Sequence, residues 1–260
     1  MRALVAILNM AVGSVYLVIG TLVMIDLKRG WKTSGFSHFG AGFIALAFTC
    51  GPHHLAHGLH IFEGRPPGAL DLLAVLVGLP AAATFSLLRI EAFRGGRGDR
   101  FVSGTPGWLF AQPTLAGIYV TAIAAAAFQV GKGKMHFPPT ILPNVLLICI
   151  YMTIGYFLLR TQFNNHRSSK GWSVSGLSLS GVFPTCAMMH AVWTLYAITG
   201  QYHFDIHGFV IDWISVPAGL YFLWAVHALY RESLRDWNRI PAAALVPSSD
   251  LKTPVRTRMA

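Results

Sequence analysis

The chain has 260 residues, 54% of them hydrophobic and 12% charged, with a formal net charge of +10 and a mean hydropathy of +0.53. Soluble domains carry about 25% charged residues, so this composition excludes an ordinary water-soluble domain. The charges lie bunched between long apolar runs, which is the pattern of a multi-pass membrane protein and gives no indication of a nucleic-acid partner.

A transmembrane helix needs about 20 apolar residues, and seven stretches supply them: 3–25, 36–59, 69–93, 108–130, 140–159, 174–199 and 208–230. The first is too long for a signal-peptide core and lacks a small-residue cleavage site, so it reads as a retained helix. The second and the sixth contain the most polar residues. Arg65-Pro66-Pro67-Gly68 and Gly95-Gly96-Arg97-Gly98 read as turns, and Pro138-Pro139 precedes the fifth span. Pro80, Pro113, Pro184 and Pro217 fall inside spans, where neighbouring helices can satisfy the freed carbonyls. Residues 1–238 form the expected membrane domain. The polar, proline-rich stretch 239–260 reads as a disordered cytoplasmic tail.

Sixteen of the 20 Lys and Arg residues fall on one set of loop ends, from Lys28, Arg29 and Lys32 to Arg256 and Arg258. The other set holds Arg2, Arg65, Lys132 and Lys134. Cytoplasmic loops carry the basic excess, so the N-terminus is expected outside and the C-terminus inside, in an inner or plasma membrane. Trp31 and Trp172 fall at the inner interface and are expected to anchor there. Lipid is the expected surrounding partner, together with a small-molecule or lipid substrate.

An internal repeat organises the spans. Gly30-Trp31-x-x-Ser34-Gly35-x-Ser37 returns 141 residues later as Gly171-Trp172-x-x-Ser175-Gly176-x-Ser178. The same offset pairs Asp71 with Asp212 and Gly78 with Gly219. Repeat one (3–93) and repeat two (140–230) then flank a linker helix (108–130). The expected fold class is all-α integral membrane, with seven transmembrane helices in a parallel 3+1+3 arrangement. Parallel repeats of this kind occur in some transporters. A second match, Thr-Cys-x-x-x-His, pairs Thr49, Cys50 and His54 with Thr185, Cys186 and His190 at an offset of 136.

Eight of the 11 histidines are expected at the outer membrane face: His53, His54, His57, His60, His136, His190, His203 and His207. Histidine is the commonest metal ligand and titrates near neutral pH. Cys50, His53, His57 and His60 follow at steps of three, four and three, which places them on one helix face if the helix continues past Pro52. Imidazoles beside a thiol suit Zn, Cu or Fe. The expected metal ligands are His53, His57, His60, His203, His207, Asp71 and Asp212. The aspartates also suit helix N-termini through the dipole. His54 and His190, matched across the repeat, are the expected pair for a haem iron or a shared ion. His38 and His227 are candidates to face each other at the inner end.

The His203-x-x-x-His207 pair near the last span, with an aspartate at the same level, resembles the intramembrane zinc hydrolases that cleave lipid amides. The resemblance covers those residues only. The pair precedes the seventh span, and no Ser-x-x-x-His partner is present. It implies metal-activated water attacking a carbonyl. His53-His54-x-x-His57 is similar to the histidine boxes of membrane di-iron oxygenases, although those face the cytoplasm. The seventh span has no lysine, which argues against a retinal Schiff base. A metal-dependent membrane enzyme, hydrolase or oxidoreductase, is the expected activity. A transporter or channel for a metal ion or small solute is the alternative.

Overall fold

The computed structural model describes residues 1–64, 68–132, 141–201 and 206–237, with only the backbone of 34, 206–208 and 235–237. His136, His203 and the tail from 239 lie outside the described residues. Seven helices follow in order: α1 (Arg2–Ser34), α2 (His38–Phe62), α3 (Ala69–Phe93), α4 (Gly107–Gly131), α5 (Leu142–Asn165), α6 (Val174–Ile198) and α7 (Ile206–Trp237). Two-residue strands β1 (Phe101–Val102) and β2 (Trp172–Ser173) pair antiparallel.

Six of the helices are long and apolar enough to cross a membrane. The other, α2, has 25 residues but carries five histidines within that length. Large apolar side chains line the outside of the bundle, among them Ile7, Val18, Leu87, Ile118, Phe128, Ile214 and Trp224. In water so much exposed apolar surface would drive association, whereas in lipid it is the solvated face. This is a helical, multi-pass membrane protein.

The helices end where local chemistry dictates. α1 runs past its apolar stretch to Ser34, because nothing stops it before Gly35, whose φ of 75° is the left-handed conformation glycine adopts without a Cβ penalty. Ser37 then caps α2, its Oγ accepting from the Gly40 amide. Ser173 caps α6 in the same way, accepting from the Gly176 amide. Trp31 therefore lies in the last turns of α1, while Trp172 lies in β2. The Gly-Trp match at offset 141 does not join equivalent structural positions. The two capping serines, and the starts and ends of α2 and α6, differ by 136.

Packing is crossed. α2 lies against α1 and α7, and α6 lies against α5, α3 and α4. Each third helix thus rests on the second helix of the other half. α6 is the central helix, buried at every position from Leu177 to Thr194. An element surrounded on all sides has no polar stripe, and small residues let its neighbours close in. A Cβ on Gly155 would lie 2.5 Å from Pro184 Cγ, and one on Gly78 would lie 2.9 Å from Thr185 Oγ1. Gly13 serves α1 and α2 likewise, since its Cβ would lie 2.6 Å from the Gly51 carbonyl oxygen.

At the basic end the α3–α4 loop clasps the start of α6. Asp99 accepts from the Ser173 hydroxyl at 2.6 Å and from the Ser175 amide at 2.9 Å. Trp172 is buried there, stacked on His166 and edge-on to Phe110 and Phe163. Its expected role as an interfacial anchor is corrected, because the β1–β2 pairing folds it inward. Trp31 is exposed, as such an anchor requires.

Candidate metal centre

α2 continues through Pro52, so Cys50, His53 and His57 do share one face, and that face turns into the bundle. His53, His57 and His190 are buried. They lie inside the bundle, not on its surface. Roughly 14 Å of helix separates His53 from the end of α2, which places the group inside the bundle, toward the end where α1 begins.

His53, His190 and Asp212 form the centre. Each offers a ligating atom, and these atoms all lie within 4.8 Å of one another. His53 Nδ1 is 2.8 Å from Asp212 Oδ1, and Asp212 is fully buried. Asn144, near the start of α5, links the other two residues. Its Nδ2 donates to Asp212 Oδ2 at 2.6 Å, and its Oδ1 faces His190 Nδ1 at 2.6 Å. A carboxylate only accepts, so the amide orientation is fixed by Asp212. Asn144 Oδ1 is then an acceptor, and His190 Nδ1 carries the proton. His190 Nε2 keeps its lone pair for a ligand.

Trp193 covers this group. Its ring stacks on His53 with centroids 4.1 Å apart. Its indole N–H donates to His57 Nε2 at 3.2 Å. The same nitrogen lies 3.5 Å from Asp71 Oδ1. His57 and Asp71 therefore lie close together one helical turn along α2 from His53 and Asp212, although a nitrogen that accepts the indole proton has none to give the carboxylate. Asp71 also accepts from the Gly68 amide at 2.9 Å, so it fills the helix-start role as well. Asp212 lies a full turn inside α7 and has no such role.

His54 and His190, the pair expected from the repeat, line the same small cavity, but their rings are not the ones that pack together. His53 packs on His190 instead, with ring centroids 5.2 Å apart. His54 turns toward α1, where its Nδ1 lies 3.0 Å from Asn9 Oδ1. Asn9 Nδ2 is committed to the Val5 carbonyl, so His54 Nδ1 is the donor. His60, half-buried in the last turn of α2, is not among the three clustered residues. His203 and the side chain of His207 lie outside the described residues. His38 and His227 do not meet: His38 Nδ1 lies 2.8 Å from Tyr221 Oη, and His227 packs on Phe157.

Two cysteines flank the centre. Cys50 Sγ is 3.1 Å from Tyr151 Oη, and Cys186 Sγ is 3.1 Å from Tyr16 Oη. Each pair joins the first helix of one half to the second helix of the other. Cys50, Cys186, Met189, His53, His54, His190 and Trp193 are among the residues that wall a cavity of about 10 Å³, room for one water or ion. A neighbouring cavity of about 30 Å³ shares His54, Cys186 and Met189 and opens past the apolar Val12, Val75 and Leu79.

Asn9, Asn144, Tyr16, Tyr151 and Trp193 were not legible as site residues from the histidine pattern. A signal existed: Asn9 and Asn144, and Tyr16 and Tyr151, stand 135 residues apart, close to the offset of the Thr-Cys-x-x-x-His match. Polar residues inside apolar spans mark functional positions. Comparison with protein-family models, with curated proteins and with solved structures gives no match.

Proposed function

We propose that this membrane protein holds one transition-metal ion between its two halves, on His53, His190 and Asp212, and uses it as a catalytic centre. The observation that carries this reading is the convergence of two imidazoles and one carboxylate, buried and within 4.8 Å of one another. A buried carboxylate beside imidazoles needs a compensating positive charge, and an ion supplies it. Three protein ligands leave a coordination position open, which is the arrangement of catalytic rather than structural sites. Two histidines with one carboxylate suit Zn or non-haem Fe. Bound there, the ion would supply Lewis-acid activation of a water or carbonyl. Asn144 orients two ligands, and Trp193 excludes water from one side. A porphyrin is the weaker fit, since cofactor clefts measure about 300–1,000 Å³ and this cavity is about 10 Å³. The apolar cavity past Val12 and Leu79 favours a substrate that arrives from lipid.

The paired contacts support duplication of a three-helix unit, with a register of 135–136 in the first two helices and 141 at the aspartates. Duplication with one linker helix gives parallel halves, and the basic bias favours the N-terminus outside and the C-terminus inside. A transport reading draws on a separate observation, His53 near Asp212 and His57 near Asp71 one turn apart along α2, which could serve as successive stations for a cation.

The test is metal content and visible spectrum on protein purified in mild detergent. We expect one equivalent of metal without a Soret band, and at least about tenfold weaker binding in His53→Ala, His190→Ala and Asp212→Asn. His227→Ala, remote from the centre, should retain the ion. Wild-type protein that takes up no Zn, Fe or Co after reconstitution would sink the reading. Metal flux into vesicles would move it to transport.

A further inference from the structure

A second cavity lies at the opposite, basic end of the bundle. It measures about 320 Å³ and is enclosed by α1, the start of α2 and the last turns of α3. One part of its lining is apolar, made by Leu22, Val23 and Leu27. Its rim is polar and carries both charges. Arg89 stands about one turn before the end of α3, and its Nε is buried with no hydrogen-bond partner among the described residues. Another of its nitrogens reaches the Gly98 carbonyl, and Phe85 lies under the guanidinium. The side chain is thereby held in place with a donor to spare. Ser37, the cap of α2, brings the positive end of that helix to the same rim. Asp26 lies on the α1 side, 48% exposed and only 3.9 Å from Arg29, a weak surface pair that is free to exchange partners.

An apolar wall beside a rim of one fixed cation, a helix start and one carboxylate matches a phospholipid rather than a soluble anion. The phosphate complements Arg89 and the start of α2. Acyl carbons complement Leu22, Val23 and Leu27. The carboxylate adds selectivity. Asp26 repels a purely anionic headgroup, but accepts hydrogen bonds from a primary ammonium, which a quaternary ammonium cannot donate. We propose that this cavity is a specific site for one ethanolamine phospholipid, with its phosphate on Arg89 and its ammonium on Asp26. Basic pockets between helices on the cytoplasmic side are known to take lipid headgroups. The proposal is independent of the metal centre, which lies at the other end of the molecule.

The experiment is native mass spectrometry of the full chain in detergent, titrated with phosphatidylethanolamine, phosphatidylcholine, phosphatidylglycerol or free phosphoethanolamine. Wild-type protein should retain one phosphatidylethanolamine about tenfold more tightly than phosphatidylcholine. Leu27→Trp, which fills the cavity from its apolar side, should abolish retention. Asp26→Asn should make the two lipids equal without abolishing binding. Arg89→Gln should weaken both, but it also touches the Gly98 carbonyl, so the Leu27 and Asp26 variants carry the decision. Equal retention of ethanolamine and choline lipids by the wild type would overturn the proposal, and so would unchanged retention in Leu27→Trp. Binding of free phosphoethanolamine as tight as that of the whole lipid would assign the cavity to a soluble ligand instead.

Discussion

Asn144 shows how one uncharged side chain can set the chemistry of a buried centre. Its amide cannot be reversed without placing two acceptors against each other at Asp212, so it fixes the tautomer of His190 as well. Replacing Asn144 by Ala should leave the bundle folded yet weaken metal binding by about 10–100-fold, the usual cost of losing a partner that orients a ligand. A Co(II) titration against a competing chelator measures this. Asn9 makes the same contact to His54, but His54 is outside the three-residue cluster. Asn9→Ala should therefore leave Co(II) affinity unchanged, and a comparable loss in both variants would show that the two asparagines act through folding alone.

At the scale of the element, α6 is the piece on which the others depend. It is enclosed along its length, and its start is tied down by Asp99 from a different loop. Asp99→Ala removes both capping acceptor contacts, and should lower unfolding stability by about 1–2 kcal/mol, read as a lower denaturant midpoint. Gly155→Val should cost about 1–3 kcal/mol through overpacking, because the Pro184 ring already occupies the space a side chain would need. It should also reduce metal content, since α6 carries His190. Gly30 offers the contrast: it is helical, with nothing within 4 Å of an added Cβ. Gly30→Ala should be neutral or stabilising by up to about 1 kcal/mol, and a large loss there would contradict the packing described. Why α6 is central was not readable from its own residues. A continuous apolar run looks the same whether lipid or protein surrounds it.

At the scale of the whole molecule, the basic residues at one end and the histidines toward the other give the bundle a direction. Reporter fusions after residue 132 should be active outside the cell, and fusions after residue 237 inside, following the 16-to-four bias in Lys and Arg. The inverse result would reverse the proposed orientation and place the His53–His190–Asp212 cluster in the cytoplasmic half. The two Tyr–Cys contacts join α1 to α6 and α2 to α5, so the first three helices and the last three are interlocked rather than merely adjacent. The 141-residue motif match misled for a local reason. α1 overruns its apolar stretch to Ser34, so Gly30 and Trp31 end up inside a helix while Trp172 opens a strand. The shorter Thr-Cys-x-x-x-His match, at 136, has the register in which α2 and α6 start and end.

The sequence by itself determined the multi-pass helical class, because a backbone in lipid must satisfy its own hydrogen bonds and an apolar run of about 20 residues does so as a helix. It also singled out the face of α2 that carries Cys50, His53 and His57, since that follows from helical periodicity alone. Only the tertiary structure decided that His53 rather than His54 meets His190, that Asp212 joins them while Asp71 goes to His57, and that Asn144 and Trp193 complete the arrangement. Those choices depend on how far each helix is rotated and slid against its neighbours. Close contacts at Gly13, Gly78 and Gly155 set that rotation, between residues far apart in the chain, and no local pattern encodes it.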